Sequence, residues 1–354
     1  MGNNGEPSAM VRRGQLLSDA TCAPADISYP NDLGILNQAR VGSEEIIDTL
    51  YEAVRKKLKK KPKTYRNLAR KNYLKVAKKR RPRRKERRRA IRKQLQYLKR
   101  NLDYIKQLTE VGASLEVLSY YQYKSLLVIA EVYRQQKQMY EKKTQRIEDR
   151  IVSISQPHIR PIVRGKAGTP VEFGAKLLVG CIDKYVFLYR ISWDNFNESV
   201  DLKEQIEAYK NYTGFYPESV HVDKIYRTRE NRAYCQKRGI RMSGPPLGRP
   251  PVNVSPSQKK QALKDERIRN GIEGKFGVSK RRFSLNRVMA KLPHTSETAI
   301  AITFLVMNLS ALLRQVFCLF CGSKLNHSIF GSQLLLKIIF GQIVNNKHLS
   351  LLQA

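Results

Sequence analysis

The sequence predicts an α/β fold: a mixed sheet with flanking helices, interrupted by a long basic helical insertion. Three observations carry this. SVHVD, then TRENRAYCQKR closed by Gly239, then IRMS read as strand, helix and strand over residues 219–243. A βαβ unit of this kind requires a parallel strand pair. EFGAKLLVGCID and KYVFLYRIS are two strand-like runs meeting at Asp183-Lys184, which reads as a hairpin. Between residues 44 and 150, apolar residues recur at helical spacing amid the densest charge in the chain.

Taken in order, residues 1–14 are polar and are expected to be disordered. GQLLSDATCA reads as a short apolar strand with Asp19 in its middle, and Pro24, Pro30 and Asn31-Asp32 mark the loops after it. Asp32 is placed to cap a helix starting near Leu33. Residues 15–43 form the first part of the α/β domain and residues 151–314 its remainder. The helical segment 44–150 lies between them, with periodic runs such as Ile46, Ile47, Leu50 and Val54, or Leu95, Leu98, Leu102 and Ile105. Pro62 and Pro82 interrupt its helices. DLKEQIEAYKNYTG reads as an amphipathic helix ending at Gly214, and Trp193 as packing beneath a loop. PPLGRPP makes a stiff bend carrying Arg249. A long helix follows, QKKQALKDERIRNGIEGKFGVSKRRF. Gly271, Gly274 and Gly277 within it each weaken a helix by about 1 kcal/mol relative to Ala. Either another backbone or DNA comes close there, or the helix is shorter than this run. Ser296–Leu313 reads as a last helix, and residues 315–354 as a tail of no assigned structure.

The chain has 354 residues, with 67 Lys+Arg against 30 Asp+Glu and a formal net charge of +37. Self-repulsion of that size calls for a polyanionic partner, nucleic acid first and an anionic membrane second. The 5 Cys are scattered apart from Cys318 and Cys321, which fits a reducing compartment. One CxxC is half a zinc site, and no second pair completes it. The N-terminus lacks the apolar segment of a signal peptide. The run Ala299–Leu313 is shorter than the about 20 residues of a membrane span and reads as a core helix. A soluble protein is expected. KKLKKKPKTYR and KKRRPRRKERRRAIRK concentrate cations between Arg55 and Arg100 against Glu86 alone, including Lys59, Lys60, Arg83 and Arg84. A run this dense points to phosphate contact, which gives affinity without sequence information.

Arg269, Glu273 and Lys280 share one face on a 3.6-residue period. A lone Glu there would be a surface ion pair. Asp19, inside one strand, and Asp223, at the carboxyl end of another, add two more carboxylates. Open α/β sheets place their sites at such strand ends. Three carboxylates could hold divalent metal over a phosphate.

These blocks resemble the DDE transposases of bacterial insertion sequences, on an RNase H-like catalytic fold. LSDATCAPADISYPND looks like the family's first strand, with Asp19 the first carboxylate. ESVHVDKIYRTRENRAYC looks like its second block, with Asp223 the second. RNGIEGKFGVSK matches the spacing of Arg, Glu and Lys around the third, Glu273. A Tyr often found three residues before the Arg is Glu266 here. The resemblance covers roughly residues 15–314. It implies catalysis and metal binding by Asp19, Asp223 and Glu273, with Mg2+ (or Mn2+). It implies DNA contact through Arg269 and Lys280, and we add Arg281, Arg282 and Arg249 to that surface. It also implies DNA as the partner, no membrane, a homodimer or higher oligomer on DNA, and a cytoplasmic, nucleoid-associated location. The resemblance also implies a helical DNA-binding domain ahead of the first strand; only 18 residues precede Asp19, so a chain truncated at its N-terminus is the expectation. Asp183 is the rival first carboxylate. His221 is expected to pack rather than ligate, since hard metals disfavour imidazole. A truncated remnant that binds DNA without catalysis, and an unrelated basic RNA-binding protein, are the competing functions.

Overall fold

The computed structural model describes residues 12–29, 31–58, 60–163, 171–245, 248 and 255–321. The expectations for residues 1–11, Lys59, Arg249 and residues 322–354 lie outside the described residues. In chain order the elements are β1 (Gln15–Pro24), α1 (Asp32–Val54), α2 (Arg66–Ala77), α3 (Arg84–Glu110) and α4 (Tyr120–Lys142). There follow β2 (Arg160–Val163), β3 (Val171–Ile182), β4 (Tyr185–Ser192), α5 (Leu202–Thr213), β5 (Ser219–Val222), α6 (Arg229–Lys237), β6 (Arg241–Met242), α7 (Pro256–Arg282) and α8 (Pro293–Cys321). Two compact units result, one of residues 1–25 and 174–354, the other of Asp26–Phe173.

In the first unit the strands run β4–β3–β1–β5–β6. β4, β3 and β1 are antiparallel, while β5 is parallel to β1 and β6 parallel to β5. The hairpin expected at Asp183-Lys184 forms, with Asp183 in the left-handed region at φ 54. The βαβ unit is β5–α6–β6, and Gly239 ends its helix at φ 62. Alternation along β1 sorts the core into two layers. Leu16 packs with Val220, Val222, Tyr226, Ile206 and Tyr209 on the α5–α6 side. Leu17 packs with Val179, Cys181, Ile272, Phe276, Phe304 and Met307 on the α7–α8 side. Trp193 joins that second layer and donates to Glu297 at 2.8 Å.

α7 is one uninterrupted helix over all three glycines. It opens on a capping box between Ser255 and Gln258 with Pro256 at its first turn. Gly271 is where it approaches the sheet: a Cβ there would stand 3.5 Å from Leu17 Cδ2. Gly274 faces open space. α8 is longer than expected, because the helix starts earlier and continues past Leu313. Its segment Pro293–Phe317 is long and apolar enough, by length and composition, to cross a membrane. One side of it, through Ile300, Phe304 and Met307, is buried in the second layer. Asn308 reaches the outer edge of β4, accepting from Val186 N at 2.9 Å and donating to Val186 O at 2.8 Å.

The second unit is helical and wider than residues 44–150, because α1 already begins at Asp32. Its cap is Asn31 rather than Asp32: the Asn31 side chain accepts from Gly34 N at 2.6 Å. Asp32 sits in the first helical turn and takes Arg150 at 2.7 Å instead. Pro62 and Pro82 fall between helices, as expected. Ile46, Ile47, Leu50, Leu98, Leu108 and Ile129 form its core. α3 buries its apolar stripe only from Ala90 onward, leaving Arg83, Arg84 and Lys85 exposed at its start.

Candidate active site

The site is built where β5 ends beside β1. The last register pairs of these strands are Leu17 with His221 and Ser18 with Val222. Asp19, still within β1, and Asp223, just past the end of β5, are the next residues. Adjacent strands stand about 4.8 Å apart, so the two carboxylates start from neighbouring backbone positions. Asp19 is half-buried and Asp223 exposed. By the alternation that turns Leu17 toward α7, Asp19 faces the same side. Asp223 remains extended at φ -70 and ψ 167, and its carboxylate accepts from Lys224 N at 2.7 Å, starting a tight turn over Lys224–Tyr226. Tyr226, fully buried, anchors that turn in the core. The rival Asp183 follows Ile182, which pairs with Leu16. It therefore lies toward the amino end of β1, on the order of 13 Å along the strand from Asp19.

Glu273 comes from α7, which packs on both β1 and β5. Ile272 and Phe276 fix the helix by burying against Leu17. Glu273 itself is exposed and accepts from Arg269 at 3.1 Å. Arg269 also donates to both oxygens of Glu266, at 2.7 and 3.2 Å. Those bonds, with the charges of Glu266 and Glu273, outweigh burial and raise its pKa further above the ordinary guanidinium value. The residue standing where the family often has Tyr thus grips the neighbouring Arg. Lys280, Arg281 and Arg282 form the last turn of α7, where cations suit the helix dipole. Among the described residues, no three His, Cys, Asp or Glu side chains are gathered closely enough to hold a metal ion. Asp19 and Asp223 start from neighbouring backbone positions, and Glu273 is turned toward Arg269.

Arg241, Asp265 and Arg227 were not singled out from sequence; His221 was, as a packing residue. Arg241, on β6, donates to both oxygens of buried Asp265, on α7, at 2.6 and 2.9 Å. His221 is fully buried, shares a hydrogen bond with Ser219 Oγ at 3.0 Å and lies 3.9 Å from Asp265. Burial, ahead of the opposing charge of Asp265, holds its pKa below the ordinary imidazole value. It packs, as expected, and links β5 to α7. Arg227 ends the turn that Asp223 begins. No local pattern marks these residues, since each owes its role to a partner distant in sequence.

In the second unit Lys60, Arg83 and Arg84 are exposed. Glu86, the acidic residue in the first turn of α3, is taken by Lys79 at 2.5 Å.

The first unit is mixed α/β, with Asp19 and Asp223 one residue beyond the last register pair of two parallel strands. Residues 220–310 match the family described as the transposase DDE domain. The match takes in Asp223 and Glu273 and leaves Asp19 outside. No curated protein and no solved structure matches the chain.

Proposed function

We propose that the chain is a DDE transposase that cleaves and joins DNA with divalent metal held by Asp19, Asp223 and Glu273. The observation that carries this is the register of β1 and β5, one step short of Asp19 and Asp223. The family match over 220–310 supports the same reading. The strand order β4–β3–β1–β5–β6, antiparallel and then parallel, supports an RNase H-like sheet.

The donor set is all carboxylate oxygen, which suits Mg2+ (or Mn2+). Mg2+ is commonly held by one or two carboxylates and completed by substrate phosphate and water. Two Asp on neighbouring strands fit that pattern without a preformed three-ligand cage. When bound, such ions activate an attacking oxygen and stabilise a leaving one in an in-line displacement at phosphorus. In cleavage, water attacks the phosphodiester and the 3′ oxygen leaves. In joining, that 3′ hydroxyl attacks a target phosphate. Glu273 reaches a shared site by leaving Arg269, which is then free to grip DNA as a planar fork, while Lys280 offers a point charge. Lys60, Arg83 and Arg84 would hold DNA through phosphates. The start of α3 favours such a partner, because cations at a helix N-terminus oppose its dipole. Joining requires two DNA ends in one assembly, which a homodimer or higher oligomer provides.

One observation favours a second reading, a DNA-binding protein without catalysis: the ion pair of Glu273 with Arg269, outside any three-carboxylate cluster among the described residues. The test is Glu273→Gln. Mg2+-dependent cleavage of an element end should fall by orders of magnitude while DNA binding persists or tightens. Cleavage at the parental rate removes Glu273 from the site. A parent that binds the end and never cleaves it supports the second reading.

A further inference from the structure

The turn after β5 holds a cation that the metal chemistry does not use. Arg227 N bonds to Lys224 O at 3.1 Å, closing the turn that the Asp223 carboxylate caps. Its guanidinium donates to Val222 O at 2.9 Å, the carbonyl just before Asp223. On its other side lies Gly244, at φ +103, where a Cβ would overlap the guanidinium. Arg232 donates to the Arg227 carbonyl at 3.2 Å and to Pro245 O at 2.8 Å, bracing the same loop. Arg227 is thus clamped by backbone on two sides.

The charged groups facing it are Asp223, Arg232, Arg269 and Glu266. Of the two carboxylates, Glu266 is already taken by Arg269 in a two-pronged bond, and Asp223 caps its own turn. Arg227 Nε is buried and without a hydrogen-bond partner. Burial, joined by Arg232 and Arg269, holds its pKa below the ordinary guanidinium value, against Asp223 and Glu266. It stays protonated with its charge incompletely met. A rigid, half-buried guanidinium with donors to spare, beside a metal-binding carboxylate, is what recognition of a phosphate oxygen requires.

We propose that Arg227 is a phosphate-binding residue of this site: held by Val222 and the bare Gly244 backbone, it grips the DNA phosphate that lies at Asp223. This rests on the transposase reading. The phosphate completes what the protein leaves open, and Gly244 is required because a side chain there would displace the guanidinium.

The test measures binding separately from cleavage. The probe is a short duplex of the element's own end, read from the DNA flanking the gene, in Ca2+ to block turnover. A second duplex carries a neutral methylphosphonate at the phosphate to be cut. The parent should lose about 10-fold or more in affinity with the neutral duplex. Arg227→Gln should bind the natural duplex about that much more weakly and be indifferent to the replacement. Arg227→Lys should recover part of the discrimination. Gly244→Ala should lose it, whereas Gly214→Ala, with the same left-handed strain and nothing near its Cβ, should keep it. Thermal unfolding shows which variants remain folded. The proposal is overturned if Arg227→Gln discriminates as the parent does, or if the parent binds both duplexes alike or neither. A parent that binds the end and never cleaves it in Mg2+ would instead overturn the transposase reading and leave the phosphate result standing.

Discussion

Asp265 on α7 and Arg241 on β6 meet through two parallel hydrogen bonds, with Asp265 buried and Arg241 half in solvent. The pair pins the front half of α7 to the sheet edge, and Glu273 lies two turns further along the same helix. Asp265→Asn should cost about 1.5–3 kcal/mol, the usual worth of a hydrogen bond to a charged group. The loss should appear as a lower urea midpoint with unchanged slope. It has a pH signature too. Burial raises the Asp265 pKa, but the bonds from Arg241 and Gln261 outweigh it, so the folded value lies below 3.8. A carboxylate of this kind stabilises above its unfolded pKa, and that stability is lost as pH falls through the folded value. The parent should lose stability below pH 3.8 over a range in which Asp265→Asn loses less.

Two histidines give a second acid response. Burial depresses the pKa of His221, and burial with Arg160 and Lys124 depresses that of His158 to about 4. Below pH 6.5 the unfolded chain takes up protons that the folded chain refuses, so stability falls as pH drops from 6.5 toward 4. Replacing either histidine by Gln should flatten this slope in urea titrations. A slope unchanged in both variants would show that neither imidazole is held neutral.

The glycines separate close approach from mere sequence. Gly271→Ala puts its Cβ in ordinary contact with Leu17, and a helical Gly→Ala exchange gains up to about 1 kcal/mol. Gly174→Ala would drive a Cβ into the Ala23 carbonyl across β3 and β1. The first variant should melt at or above the parental temperature, the second well below it.

Salt dependence addresses the second unit. If Arg83 and Arg84 neutralise DNA phosphates, Arg83→Gln with Arg84→Gln should reduce the slope of log K against log salt by roughly 0.9 for each phosphate no longer neutralised. An unchanged slope would place DNA elsewhere on the chain.

Much of this was legible before the structure, for a physical reason. β1, the β3–β4 hairpin and the β5–α6–β6 unit are short apolar runs closed by Asp, Gly or Pro, so local signals mark both type and ends. Asp19 and Asp223 interrupt such runs, which made them conspicuous. Other features depend on distant partners. The cap of α1 went to Asn31 because Asp32 found Arg150, a contact no local pattern encodes. Spacing put Arg269 and Glu273 on one face, but not that Glu266 would share the same Arg. Arg227 bears no local mark at all, since its meaning comes from Gly244, beyond an intervening helix.

Asn308 has a consequence for how copies of this protein behave toward each other. Its amide meets the N–H and C=O of Val186 as a neighbouring strand would. The outer rim of β4 is therefore already occupied at that rung by a side chain that cannot propagate the ladder. An incoming strand would have to evict it and replace two bonds before gaining any. At that edge, pairing with a strand of another freshly made chain is disfavoured.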